Sequence, residues 1–165
     1  MRREILNDLA VARRGPEEEE VFAFLQKNPL NVFPYPFAAL YRPSDVKVYA
    51  DTSHGVNFVW PTQKRLDFQR GWGDDRIKRA YTALCREQHK DSPHCYTDAR
   101  FAVSAESILA DIGSAEGIFA LEQVEVCRHI YLFETDPGWI EALNATFSPW
   151  KEKITLVNCF VSDVN

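Results

Sequence analysis

Residues 108–121 read ILADIGSAEGIFAL. A short apolar run meets Asp111, two glycines follow at 113 and 117, and EGIFALEQVEV then carries helical periodicity. This is a strand, a glycine loop and a helix. Outward from it, HIYLFE (129–134) is a second apolar run. PGWIEALNATF (137–147) is helical, with Pro137 in the first turn and Trp139, Ile140, Leu143 and Phe147 on one stripe. KITLVNCFVSD (153–163) is a third, nearly continuous apolar run. Strands of buried type that alternate with helices predict a βαβαβ unit with a parallel sheet.

Ligands of such sheets sit beyond the carboxyl ends of the strands, near the first strand-to-helix turn. Dinucleotide sites place G-x-G-x-x-G there, so that the backbone approaches a pyrophosphate. Here Ala115 takes the middle place, Glu116 sits at the helix start and Asp111 closes the strand. Two carboxylates repel a pyrophosphate but suit a ligand that is cationic or carries an amino group. S-adenosylmethionine, with its sulfonium and α-ammonium, is such a ligand. Glu134 ends the second strand, 21 residues after Gly113. An acid at that position accepts from the hydroxyls of an adenosine ribose, a feature that NAD sites share. Ser162 and Asp163 follow the third strand, where an adenine edge would lie, and Asp163 can accept from its amino group.

ILADIGSAEGIFAL, YLFETDPGWIEAL and ITLVNCFVSD together resemble the first three strand regions of class I S-adenosylmethionine-dependent methyltransferases, and most of all the FkbM-like branch. That branch has D-I-G-x-x-x-G, then F-E-x-x-P, then a V-S-D ending. The resemblance covers residues 100–165. It implies that Asp111, Gly113 and Gly117, with Ser114, Ala115 and Glu116 between them, frame the methionine part of the cofactor. It also implies that Glu134, with Thr135 beside it, holds the ribose, and that Ser162 and Asp163 lie by the adenine. The implied reaction is methylation of a hydroxyl on a small, sugar-type acceptor. The family's sheet has further strands, and this chain supplies only the first three. The expectation is therefore a truncated Rossmann-like sheet, the N-terminal portion of an enzyme, with no catalytic base that can be named. Its first strand would be an open edge, covered by the front region, by a second chain or by self-association.

The front region, 1–99, is expected to be a small α+β unit. Residues 2–14 read as an amphipathic helix. GPEEEEVFAFLQKN starts a second, with Pro16 and four glutamates in its first turn. Three prolines between 28 and 36 exclude regular structure there, and the aromatics among them should pack on a neighbour. Residues 46–69 read as an antiparallel meander around a TSHG turn. A helix over 75–90 follows, capped by Asp74 or Asp75, with Ile77, Tyr81, Leu84 and Cys85 on one face. Cys85, His89, His94 and Cys95 invite a zinc reading, but adjacent ligands at 94 and 95 fit one tetrahedron badly. The plainer reading is a buried Cys85, a solvated His89 and a structural turn at 93–96. Alternatively, 93–101 runs beside the first strand and brings His94 or Tyr96 to the cofactor mouth.

The chain of 165 residues is 45% hydrophobic with net charge −5, which excludes disorder and shows no basic stripe for nucleic acid. No apolar run can span a membrane and no secretory signal is visible, so a cytoplasmic protein with reduced thiols is expected. Two functional classes stay open: the methyltransferase portion, and a catalytically incomplete cofactor-binding or protein-interaction module. A dinucleotide oxidoreductase is disfavoured by Ala115 and Glu116.

Overall fold

The computed structural model describes residues 1–98 and 101–162. The expected division of the chain near residue 100 falls on residues outside that description.

Two helices open the chain, α1 (Arg2–Val11) and α2 (Pro16–Lys27). Pro16 sits in the first turn of α2 as read, and the Glu18 carboxylate accepts from the Gly15 amide at 2.9 Å. The proline-rich stretch that follows is irregular until a 3-10 turn at Pro36–Leu40. Its aromatics Phe33, Tyr35 and Phe37 are buried together against Val21 of α2.

Three short strands, β1 (Tyr49–Asp51), β2 (Val56–Val59) and β3 (Leu66–Asp67), form the antiparallel meander in the order β1-β2-β3. Helix α3 (Asp74–Glu87) then turns Ile77 into the core. Its N-cap is Gly73, not Asp74 or Asp75, which lie inside the first turn where their charge favours the helix dipole.

The second half is β4 (Ile108–Ile112), α4 (Ile118–Gln123), β5 (His129–Phe133), α5 (Pro137–Thr146) and β6 (Ile154–Val157). The strands are parallel in the order β4-β5-β6, in register Leu109 with Ile130 and Leu132 with Leu156. The chain is thus mixed α/β, with a small antiparallel sheet and a separate parallel one that fits a truncated Rossmann-like arrangement. Both helices pack on one face of the parallel sheet. Ile130 and Leu132 point into that face and meet Leu121 and Val124 of α4 and Leu143 of α5. The opposite face carries Ile108, Ile112 and Tyr131, all exposed.

The meander packs on α5, not on the β4 edge. The Asp67 amide donates to Thr146 Oγ1 at 2.9 Å, and Trp139 meets Phe68 at a tilt and Trp72 edge-on. Trp139 is therefore a packing residue. Val59, Leu66, Phe68 and Ile77 of the front region belong to the same core as the buried residues of α4, β5 and α5. Lys64, in the turn before β3, reaches across and donates to the Leu121 carbonyl at 3.1 Å. It thereby satisfies an open carbonyl at the end of α4, which has only six residues.

Beneath the meander, Arg65 lies over the Phe58 ring and binds both Asp51 (2.9 Å) and the fully buried Asp67 (2.5 Å). Burial raises the Asp67 carboxyl while the guanidinium beside it opposes that rise.

Candidate functional site

The glycine loop continues the pairing of the strand before it. The amides of Gly113 and Ser114 both donate to the Phe133 carbonyl, at 2.9 and 3.1 Å. Ser114 is buried and its hydroxyl donates back to the Asp111 carbonyl at 2.8 Å. The turn closes with the Gly117 amide on the Ser114 carbonyl at 2.7 Å. Gly113, Ala115 and Gly117 all have left-handed backbone, φ 74°, 46° and 72°.

The two glycines are required for different reasons. A Cβ on Gly117 would lie 2.8 Å from Leu143 Cδ2 and 3.0 Å from Phe147 Cε2, both in the core. A Cβ on Gly113 would meet nothing within 4 Å. Gly117 thus lets α4 approach α5, whereas Gly113 faces open space at the end of β4.

Glu134 stands at the end of β5 and ties the two strand ends together. Its Oε2 accepts from the Ala115 amide at 2.9 Å, and its Oε1 accepts from Thr135 (2.7 Å) and Asp136 (2.8 Å). A carboxylate has about four acceptor positions, so roughly one stays open on Oε2. Asp136 caps α5 by accepting from the Gly138 amide at 2.7 Å.

Asp111 and Glu116 flank the loop, and among the described residues no cation pairs with either. Burial pushes the Asp111 carboxyl up to about 6. Burial also pushes Glu116 up to about 7, with the charges of Asp111, Glu87 and Glu134 adding to the rise. Tyr96 closes this cluster. Its ring packs edge-on against Phe119 at 5.2 Å, its hydroxyl donates to Glu87 at 3.4 Å, and it feels the charges of Asp111 and Glu116. Tyr96 therefore belongs to the mouth of the loop. His94 does not: it packs edge-on against Phe33, 5.7 Å away.

Asp111, Gly113, Ser114, Ala115, Glu116, Gly117, Glu134 and Thr135 thus gather at the carboxyl ends of β4 and β5. Ser162 is exposed beyond β6, and Asp163 lies outside the described residues. Glu87, at the end of α3, joins the acidic cluster without any signal in the sequence, because a helix of the front region delivers it from 24 residues before Asp111.

The cysteine–histidine set is a packing arrangement. His89 is not solvated as read; it stacks on Phe37 at 4.5 Å. The Cys95 thiol donates to backbone carbonyls of Gln88 and Thr97. All four cysteines are free, and among the described residues no group of three or more potential ligands is placed to hold a metal. Asp51, Ser53 and His54 also lie close together, but Nδ1 of His54 faces both Ser53 Oγ (2.9 Å) and Asp51 Oδ2 (3.0 Å). A relay needs the two ring nitrogens to serve different partners. These contacts close an exposed turn, in which hydrogen bonds from Ser53 and His54 together with Arg65 hold the Asp51 carboxyl below the usual range.

No known protein family, curated protein or solved structure matches this chain. No helix among the described residues is long and apolar enough to cross a membrane.

Proposed function

We propose that the chain is the cofactor-binding portion of an S-adenosylmethionine-dependent methyltransferase acting on a small hydroxyl or sugar-type acceptor. The observation that carries this reading is the pair of half-buried carboxyls, Asp111 and Glu116, that flank an open glycine loop and that burial raises to about 6 and 7. Half-buried acids with no cation beside them among the described residues are costly to ionise, and a ligand bearing a sulfonium and an ammonium relieves both. The residues fit that group. Gly113 leaves space for backbone approach, and the free position on Glu134 Oε2 suits a ribose hydroxyl. When bound, the cofactor supplies an electrophilic methyl group. The chain's own part is to orient it and to exclude water, with Tyr96 and Phe119 forming one wall.

Calorimetric titration with S-adenosylmethionine and S-adenosylhomocysteine tests this. Micromolar binding is expected for both, lost in Glu134→Ala. The methionine form should release protons near pH 6.5, because its charge lowers Asp111 and Glu116. A folded chain that binds neither, or binds NAD tightly instead, ends the reading.

A second reading is a protein-interaction module, favoured by β4. Among the described residues, this strand pairs with β5 alone, and Ile108 and Ile112 are 52% and 62% exposed. Such a strand accepts another along its edge. Sedimentation across a concentration series separates the readings: association removed by Ile112→Lys, without cofactor binding, supports the module.

A further inference from the structure

A cavity of about 370 Å³ lies between α3, the segment around Tyr41 and the first two strands of the meander. Its volume suits one small molecule. Four aromatic side chains line it: Tyr41, Tyr49, Trp60 and Tyr81. Each is held by a neighbour. The Tyr41 ring meets His89 edge-on at 5.8 Å, and Arg86 of α3 donates to the carbonyls of Ala38 (3.1 Å) and Tyr41 (2.7 Å). Tyr49 stacks on Phe58 at 5.5 Å, and Phe58 meets Trp60 edge-on at 5.8 Å. Tyr81 is hydrogen-bonded to Cys85, one turn further along α3. Rings fixed before a guest arrives lose little freedom when it binds. Trp60 and Tyr49 are still 48% and 42% exposed, so packing leaves about half of each uncovered.

The charges that line the cavity do not cancel. Arg42 and Lys47 are both exposed, and neither side chain has an ion-pair partner among the described residues. The acid among the lining residues, Asp45, accepts from the Ser44 hydroxyl at 3.1 Å. Burial pushes the Tyr81 phenol and the Cys85 thiol up, so both stay neutral. The lining thus holds two cations against one acid, in a chain whose net charge is −5.

We infer that this cavity binds a flat aromatic molecule bearing an anionic group, a carboxylate or a phosphate. The ring lies on Trp60 and Tyr49, and the anion pairs with Arg42 and Lys47. The inference stands on the cavity alone and does not depend on the ligand of the glycine loop.

The probes are 2-naphthyl phosphate, 2-naphthoate and 2-naphthol, which share one ring system and differ in charge. Near neutral pH and at low ionic strength, equilibrium dialysis should show at least one of the two anions bound about tenfold more tightly than 2-naphthol. The tighter anion names the group that the cavity takes. The preference should shrink at high salt. Replacing Arg42→Gln and Lys47→Gln together alters two exposed side chains, so the variant should fold and bring all three affinities within about twofold. Trp60→Ala should weaken all three alike, by about fivefold. Trp60 also borders a groove beside α5, which Arg42 and Lys47 do not line, so the double variant locates the binding. Absence of saturable binding by either anion, tighter binding of 2-naphthol, a preference that survives the double replacement, or affinities indifferent to Trp60→Ala would each overturn the inference.

Discussion

Glu134 Oε2 accepts a hydrogen bond from the Ala115 amide across the gap between the first and second parallel strands. One side chain thereby fixes the conformation of the loop that follows the other strand. Glu134→Ala releases three amides at once, those of residues 115, 135 and 136. Hydrogen exchange should accelerate at these three by at least tenfold, while the Ile130 and Leu132 amides inside the sheet stay protected. Uniform acceleration along β5 would mean that Glu134 serves global stability instead of the loop.

The glycines separate cleanly. Gly113→Ala adds a methyl group in open space and incurs only the left-handed strain, about 1 kcal/mol. Gly117→Ala adds the same strain and drives a methyl into Leu143 and Phe147, for a total of about 3 kcal/mol. Urea unfolding of the two variants measures both. Equal losses would show that the close approach of α4 and α5 relaxes freely.

Asp111 and Glu116 make stability depend on pH in an unusual direction for acids. Their folded-state values, about 6 and 7, lie above their ordinary ones, so the folded protein holds protons that the unfolded chain gives up. The stability they contribute is full below about pH 4 and is lost as pH rises through about 6 and 7. Glu116→Gln removes the titration. Relative to wild type it should gain roughly 1–2 kcal/mol at pH 8 and nothing at pH 4, read as the difference in Tm between the two proteins across that range. A difference that does not change with pH would place Glu116 in water.

Arg65 neutralises Asp67 inside the protein. Arg65→Met leaves a fully buried carboxylate unpaired, at a cost of about 3 kcal/mol near neutral pH. The loss should shrink as pH falls, because without the guanidinium the Asp67 carboxyl rises further and takes up a proton. Double replacement with Asp67→Asn should recover much of the stability. Failure of the second change to rescue the first would assign the cost to the lost contact of Arg65 with Phe58.

The parallel unit was legible because its strands are continuous apolar runs and its helices start at marked positions, Pro137 above all. Short-range chemistry carries those signals. The meander was visible from alternation around TSHG, but its last strand, Leu66–Asp67, is two residues long and passes at once into the packing of Phe68. What sequence could not offer were contacts made at a distance. His89 looked like a polar residue at a helix end and proved to be a stacking partner of Phe37, a ring more than fifty positions earlier. Glu87 reached the loop cluster, and Tyr41 and Tyr81 enclosed a cavity, only because α3 lies where it does. Within the candidate site, the loop and Glu134 were readable by spacing. The bond between them, and the burial that raises Asp111 and Glu116, are properties of the folded arrangement.

The grip of Lys64 on α4 has a kinetic meaning. Six residues are too few to hold a helix in isolation. The carbonyl that Lys64 engages lies 57 positions further along the chain. The part of the helix's hold that comes from Lys64 is expected to form only after a long segment has closed on itself, because contacts of that separation are made late. The glycine loop should therefore reach its final form late in folding, after the meander has taken its place.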